Sequence, residues 1–253
     1  MKMKSSKSKL AYKRILLKMS GEVFKGTKQS GVDYEVLLGL ARRVKKVRDL
    51  GVEIGIVIGG GNIWRYRDNA NAGGPSLDRV VSDTIGMMAT NMNALAFAEA
   101  LNSVGCEAIA LTAFPSEKAM KTYTPYRGRK YLKKGYVTIF AGGTGSPFFT
   151  TDTAAAIRAL ETDCEVVMKA TKVDYVYDKD PVKHKNAKKF LNLTYNEILD
   201  QKLGVMDMTC AALCKQGDLP MLVFNLNKDG LIVKAVKGEK VGTLIKSKPA
   251  NQN

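Results

Sequence analysis

Histidine occurs once in these 253 residues, as His184 in the polar stretch KHKNAKK. So lone an imidazole excludes a serine–histidine–acid catalytic set unless another base takes its place, and lysine-rich surroundings mark His184 as exposed. Cysteine is almost as scarce. Cys106, Cys164, Cys210 and Cys214 include no CxxC pair and have no histidine cluster nearby, so neither a structural zinc site nor a disulfide framework is expected. Cys210 and Cys214 lie four apart in an apolar stretch, which puts both on one helix face as small buried hydrophobes.

Long apolar runs are missing too: none approaches the ~18 residues that a membrane-spanning helix needs. The opening MKMKSSKSKL has lysines but no following apolar stretch or small-residue cleavage site, so export is not expected and a cytoplasmic location is. Residues 1–10 read as a disordered basic tail, 11–247 as one catalytic domain and 248–253 as a C-terminal tail.

Acidic residues are in deficit, 24 against 40 lysines and arginines, giving a net charge of +16. The tail accounts for only four of these charges. A second cluster comprises Lys118, Lys121, Arg127, Arg129, Lys130, Lys133 and Lys134. A solvated basic face explains it most simply, with a nucleic-acid footprint as the alternative.

The common phosphate-binding signatures are absent as well. GEVFKGTK, from Gly21 to Lys28, places Thr27 between the second glycine and the lysine, so it is not a P-loop. No GxGxxG follows the first strand, which disfavours a dinucleotide fold.

What is present is a globular composition, 45% hydrophobic and 25% charged, with strand and helix patterns in alternation. Strands are expected at Tyr12 to Met19, Glu53 to Ile58, Ala108 to Leu111, Tyr136 to Phe140, Glu165 to Met168, Met221 to Phe224 and Gly242 to Ile245. Helices are expected at Tyr34 to Leu50, Asp78 to Asn102, Thr153 to Thr162, Asn196 to Leu203, Met206 to Gln216 and Gly230 to Val236. This order predicts an α/β fold, a three-layer αβα sandwich around a mainly parallel central sheet.

In such sheets ligands bind beyond the carboxyl ends of the strands. Lys18, Ser20, Gly21 and Glu22 follow the first strand, and Gly59, Gly60, Gly61 and Asn62 the second. AGGTGSPFFTTD, from Ala141 to Asp152, follows the strand ending at Phe140; Lys169, Thr171, Lys172 and Asp174 follow the one ending at Met168. Glycine lets backbone N–H groups approach phosphate oxygens, and helix N-termini favour anions. Gly142, Gly143 and Gly145 with hydroxyls at Thr144, Ser146, Thr150 and Thr151 go beyond what a tight turn requires. Two phosphate-bearing ligands exchanging a phosphoryl group is the chemistry these loops suggest, since such transfer needs positioning and charge neutralisation above all. Lys18 is the leading cation, because an unpaired ammonium is costly to bury at a strand end. Asp152 is expected to orient Lys18 and to cap the helix that follows. Arg65 and Asp83 flank the stretch DNANAGGPS and suit a phosphate and a ribose hydroxyl respectively. A basic nucleic-acid-binding protein built on the same fold remains open on these grounds, as does a kinase of another small acid.

LLKMSGE, VIGGGNIWR, RVVSD with GMMATNMNALA, AGGTGSPFFTTD, KATKVDYVYDKDP, VMD and VFN together resemble bacterial uridylate kinase (UMP kinase), within the amino acid kinase superfamily. The resemblance spans roughly Tyr12 to Ile245. It implies transfer of the γ-phosphoryl of ATP, carried with Mg2+, to UMP, on a homohexamer built from dimers. It further implies ATP contacts at Lys18, Met19, Ser20, Gly21, Gly61, Arg65, Thr171, Tyr177 and Asp180, with Asp152 organising the catalytic Lys18. UMP contacts are implied at Gly60, Asp83, Thr144, Gly145, Ser146, Pro147, Phe148, Phe149, Thr150 and Thr151. GTP and UTP are implied as effectors, the former at the stretch matching Gly26 to Gly31, which here reads GTKQSG without the usual bulky hydrophobe. The segment between Arg65 and Asp83 is longer than the common family pattern. No membrane partner is implied, and nucleic acid is not expected.

Overall fold

Short β-branched runs punctuated by glycine become strands, and the longer stretches with apolar residues every three or four positions become the helices that cover them. The structure, a computed structural model, describes residues 10–65 and 77–248. Most of the two tails, and the stretch DNANAGGPS, lie outside the described residues.

The main sheet contains β1 (Arg14–Met19), β2 (Glu53–Ile58), β3 (Ala108–Thr112), β4 (Lys121–Thr122), β5 (Val137–Ala141), β6 (Val166–Thr171), β9 (Asn192–Thr194), β10 (Met221–Asn225) and β11 (Thr243–Lys246). Their spatial order is β4-β3-β5-β2-β1-β6-β10-β11-β9, and every pairing is parallel except β10 with β11. A separate antiparallel ribbon joins β7 (Val176–Tyr177) to β8 (Lys189–Phe190). The expected mainly parallel sheet is therefore the one observed. The four strands whose loops carry the glycines and lysines, β5, β2, β1 and β6, are consecutive in it, so those loops emerge along one edge.

Helices α1 (Tyr34–Arg48), α2 (Arg79–Ser103) and α7 (Leu231–Val236) cover one face. The other carries α3 (Pro125–Lys133), α4 (Thr151–Glu161), α5 (Tyr195–Asp200) and α6 (Met208–Gln216). Alternation along each strand divides the core between them. Ile15, Leu17 and Met19 pack under α1 with Ile54, Ile56 and Ile58, whereas Leu16, Val57 and Val167 face α4. Each such buried aliphatic side chain contributes about 1.5–3 kcal/mol.

Caps explain several boundaries. Asp33 accepts from the N–H groups of Glu35 and Val36 to start α1, and Asp78 accepts from Val81 to start α2. Thr194 and Glu197 form a reciprocal capping box at α5. All four cysteines are buried and reduced, Cys210 and Cys214 on the inner face of α6. Among the described residues no helix is long and apolar enough to cross a membrane.

Candidate active site

The period of two that sorts the core also places the charges. Lys18 follows Leu16 on the α4 face of β1, and Lys169 follows Val167 on the same face of β6. Parallel register makes Lys18 and Lys169 direct partners across the two strands. Lys169 therefore belongs to the strand and not to the loop after Met168, because β6 continues pairing with β10 as far as Thr171.

Two ammonium groups side by side, each only 12% exposed, require a counter-charge. The first turn of α4 supplies it: Asp152 Oδ1 lies 2.7 Å from Lys18 Nζ, and Oδ2 accepts from Lys169 Nζ at 2.5 Å. The Lys18 contact lies off the axis that a hydrogen bond prefers and acts as an ion pair. Lys169 also donates to the carbonyl of Val205 at 2.5 Å. Burial pushes the Asp152 carboxyl up, but the two ammonium groups outweigh it and hold the group below the usual carboxylate range. Lys169 is driven below the ordinary lysine value, chiefly by burial and also by the charge on Lys18, against the pull of Asp152.

Asp152 is not the helix cap that its position in the sequence suggests. Thr150 is the N-cap of α4, accepting from the Asp152 N–H at 3.0 Å, so Asp152 sits inside the first turn with both oxygens free for the lysines. Thr150 also donates its hydroxyl to Asp207, which accepts from Thr153 at 2.7 Å and caps α6 through the Cys210 N–H at 2.8 Å. One carboxylate thus draws the N-termini of α4 and α6 together.

A cleft of about 160 Å³ opens beside this centre, lined by Gly60, Gly61, Trp64, Ser82, Asp83 and Met87 on one side and Gly143, Ser146, Phe149, Thr150 and Thr151 on the other. Gly60 approaches α2 so closely that a Cβ would stand 2.6 Å from the Gly86 carbonyl oxygen. The loop from Gly142 to Phe149 doubles back through positive φ at Gly142, Gly143, Gly145 and, unusually for a bulky residue, Phe148 at 70°. It is anchored where Gly142 N–H donates to Thr90 Oγ1 at 2.8 Å and Phe148 N–H to Asp83 Oδ2 at 2.8 Å. Asp83 is also paired with Arg79 at 2.9 Å. Thr144, Gly145, Pro147 and Phe148 belong to this loop without lining the cleft.

A second, larger cleft of about 580 Å³ is within the usual range for a small-molecule site. Lys169, Thr171, Tyr177 and Asp180 line it, with Tyr175, Leu203 and Val205. Lys169 lines this cleft, and Asp152 follows Thr151, which lines the first, so their ion pair links the two linings.

The remaining residues singled out in the sequence take other places. Met19 is fully buried, and its carbonyl accepts from the Gly59 N–H at 3.0 Å. Ser20 caps the 3-10 turn Gly21–Val23, and a Cβ on Gly21 would fall 2.3 Å from the Gly59 carbonyl oxygen, so the turns after β1 and β2 touch. Gly61 lines the first cleft, and its carbonyl accepts from Arg65 Nε at 2.8 Å. Arg65 pairs with Glu22 and lines neither cleft. Sequence reasoning missed Lys169 as a partner of Asp152, Asp207 as the link between helices, and the buried pair Asn62 and Asn93, whose amides bond each other reciprocally while Asn93 also donates to the Gly59 carbonyl. The strand period applied one residue further would have found Lys169; Asn62 and Asp207 stand in stretches the sequence singles out, but nothing local shows their partners.

Comparison with known proteins identifies the family. Residues 13–225 match the amino acid kinase family. The chloroplastic uridylate kinase PUMPKIN of Arabidopsis thaliana is 47% identical over 241 residues, covering 95% of this chain and 70% of that protein. The uridylate kinase of Ectopseudomonas mendocina is 49% identical over 234 residues, covering 92% and 94%. The crystal structure of UMP kinase from Bacillus anthracis superposes with a TM-score of 0.90 at 35% identity, over 94% of this chain and 97% of that one. That of UMP kinase from Ureaplasma parvum gives 0.86 at 37% identity, over 92% and 98%. With its whole lysine–carboxylate centre inside the matched region, the chain belongs to the amino acid kinase family.

Proposed function

We propose that this chain is a UMP kinase that transfers the γ-phosphoryl group of MgATP to UMP, giving UDP and ADP in pyrimidine nucleotide synthesis. The observation that carries the reading is the single carboxylate of Asp152 holding Lys18 and Lys169, with Lys169 on the wall of the larger cleft and Asp152 next in the chain to Thr151 on the wall of the smaller. With one negative and two positive charges, the centre has an excess of one positive charge to offer a group in transit. UMP takes the smaller cleft, against Gly60, Asp83 and the loop from Thr144 to Thr151. ATP takes the larger, with its nucleoside toward Thr171, Tyr177 and Asp180 and its phosphates toward Lys18, the turn Met19 to Gly21, Gly61 and Arg65.

In this reading Lys18 and Lys169 stabilise the charge on the transferring group, Asp152 holds both, and the N–H groups at the start of α4 face the same anion. Mg2+ bound with ATP would supply charge neutralisation on its phosphates.

A homohexamer built from dimers belongs to the same proposal. Val81, Met88, Met92 and Leu95 leave an apolar stripe on α2, each between 41% and 58% exposed, that a second copy would cover. GTP and UTP are the proposed effectors. The Gly26 to Gly31 stretch is tied to the site through Asn62, whose amide donates to the Gly31 carbonyl at 2.8 Å. The location proposed is cytoplasmic, with neither membrane nor nucleic acid as a partner.

The direct experiment is a coupled assay of ADP release with magnesium, ATP and a panel of acceptors: UMP, CMP, dUMP, aspartate and glutamate. UMP is expected to be preferred. Equal or faster turnover with CMP or an amino acid would overturn the acceptor assignment.

A further inference from the structure

Among the described residues, Arg158 is the one buried cation that the proposed transfer does not use. It lies in the last turn of α4, its side chain only 7% exposed, away from the lysine pair at the other end of the helix. Its guanidinium meets three partners at once. Nη1 donates to Glu161 Oε2 at 2.7 Å, Nη2 donates to the carbonyl of Gly143 at 3.3 Å, and its central carbon lies 4.1 Å from the centroid of the Tyr123 ring. Tyr123 completes the arrangement by donating its hydroxyl to the same Glu161 oxygen at 2.7 Å and by packing edge-on against Phe140, in the strand that leads into the loop. Burial first, then Glu161, drives the Tyr123 phenol far above its usual value, so it remains a donor at every working pH.

Gly143 is the middle of the left-handed run Gly142, Gly143 and Gly145, and it lines the smaller cleft. The loop's other outside anchors, Thr90 and Asp83, both come from α2. Without Arg158 the Gly143 carbonyl would lose its tie to α4, and a loop of glycines has many alternative conformations.

We propose that Arg158 is a positioning residue for the acceptor: it fixes the Gly143 carbonyl and so holds the loop from Gly142 to Phe149 in the shape that encloses the ligand of the smaller cleft. Arginine is required because only a planar fork can bond a carboxylate and a carbonyl while laying its face on a ring. The inference rests on the reading of that cleft as the UMP site.

The test compares wild type with Arg158→Lys, which keeps the charge, and Tyr123→Phe, which keeps the ring but removes the hydroxyl's bond to Glu161. Arg158→Lys is expected to raise the KM for UMP about tenfold, the scale of a lost charged hydrogen bond, with kcat and the KM for ATP within about twofold. In ligand-free protein, hydrogen exchange of the 142–149 amides is expected to quicken while β5 stays protected, and Tyr123→Phe is expected to shift both readouts in the same direction by less. An unchanged KM for UMP with unchanged loop exchange would overturn the proposal. So would equal losses for UMP and ATP with exchange quickened throughout β5 and α4, the mark of a merely structural role. If wild type fails to use UMP, the acceptor reading falls, and the exchange measurement still decides whether Arg158 holds the loop.

Discussion

Lys18 and Lys169 are register partners in adjacent parallel strands, and a single residue, Asp152, reaches both, with one carboxylate oxygen for each ammonium group. Like charges in direct register would ordinarily push such strands apart. Here the first turn of α4 delivers the compensating charge, which makes the centre a structural necessity as well as a candidate for chemistry.

The three residues should separate by stability. Lys18→Ala and Lys169→Met are each expected to lower turnover by at least about 100-fold. Lys169→Met leaves the Lys18 pair intact and should change unfolding free energy little. Asp152→Asn strands two ammonium groups and should cost about 3 kcal/mol or more in a urea titration. Equal stability losses for Lys169→Met and Asp152→Asn would contradict the bridging role.

Acid should remove what Asp152 contributes. Its folded-state pKa lies below the unfolded value, so the stabilisation is fully present above about pH 4 and is lost as pH falls through the folded value. The stability gap between wild type and Asp152→Asn is therefore expected to be flat from about pH 7 to 5 and to narrow below about pH 4. A gap that narrows already near neutrality would assign it to other groups.

Two glycines predict opposite outcomes. A Cβ at Gly60 would meet the backbone oxygen of Gly86 at 2.6 Å, so Gly60→Ala should cost about 1–3 kcal/mol and weaken acceptor binding. Gly39 lies within α1 with nothing inside 4 Å of its Cβ position, so Gly39→Ala should gain up to about 1 kcal/mol and leave kinetics unchanged. Thermal melts with steady-state assays check both.

Thiol reagents offer a packing test. All four cysteines are buried, and burial pushes the Cys164 thiol up to about 12. Native protein is expected to react negligibly over minutes and denatured protein fully; fast labelling of even one native cysteine would show that the core is looser than described.

The stripe on α2 should govern assembly. Met88→Lys with Met92→Lys places charge on residues 56% and 58% exposed, so the fold should survive while any oligomer dissociates. Light scattering that gives the same mass for wild type and double variant would detach this face from assembly.

Much of the fold could be read directly. The runs EIGIVI and YKRILLKM, bounded by polar or glycine residues, mark β2 and β1, and the apolar spacing from Leu37 to Val47 marks α1. Helix α3 escaped notice because it buries little beyond Gly128 and Leu132 and otherwise reads as a basic run. Strands β4, β7 and β8 are two residues each and exist only through their partners.

The amino-acid sequence by itself determined which loops carry glycine, hydroxyl and lysine, and that alternating strands and helices would bring them to one edge, because side-chain period and backbone freedom are local properties. Tertiary structure alone decided that Lys169 faces Lys18 across the carboxylate of Asp152, that Thr150 rather than Asp152 caps α4, and that Arg158 reaches Gly143. Each of these depends on a partner distant in the chain: β1 pairing in register with β6, Asp207 taking the Thr150 hydroxyl, and Tyr123 stacking on the buried guanidinium.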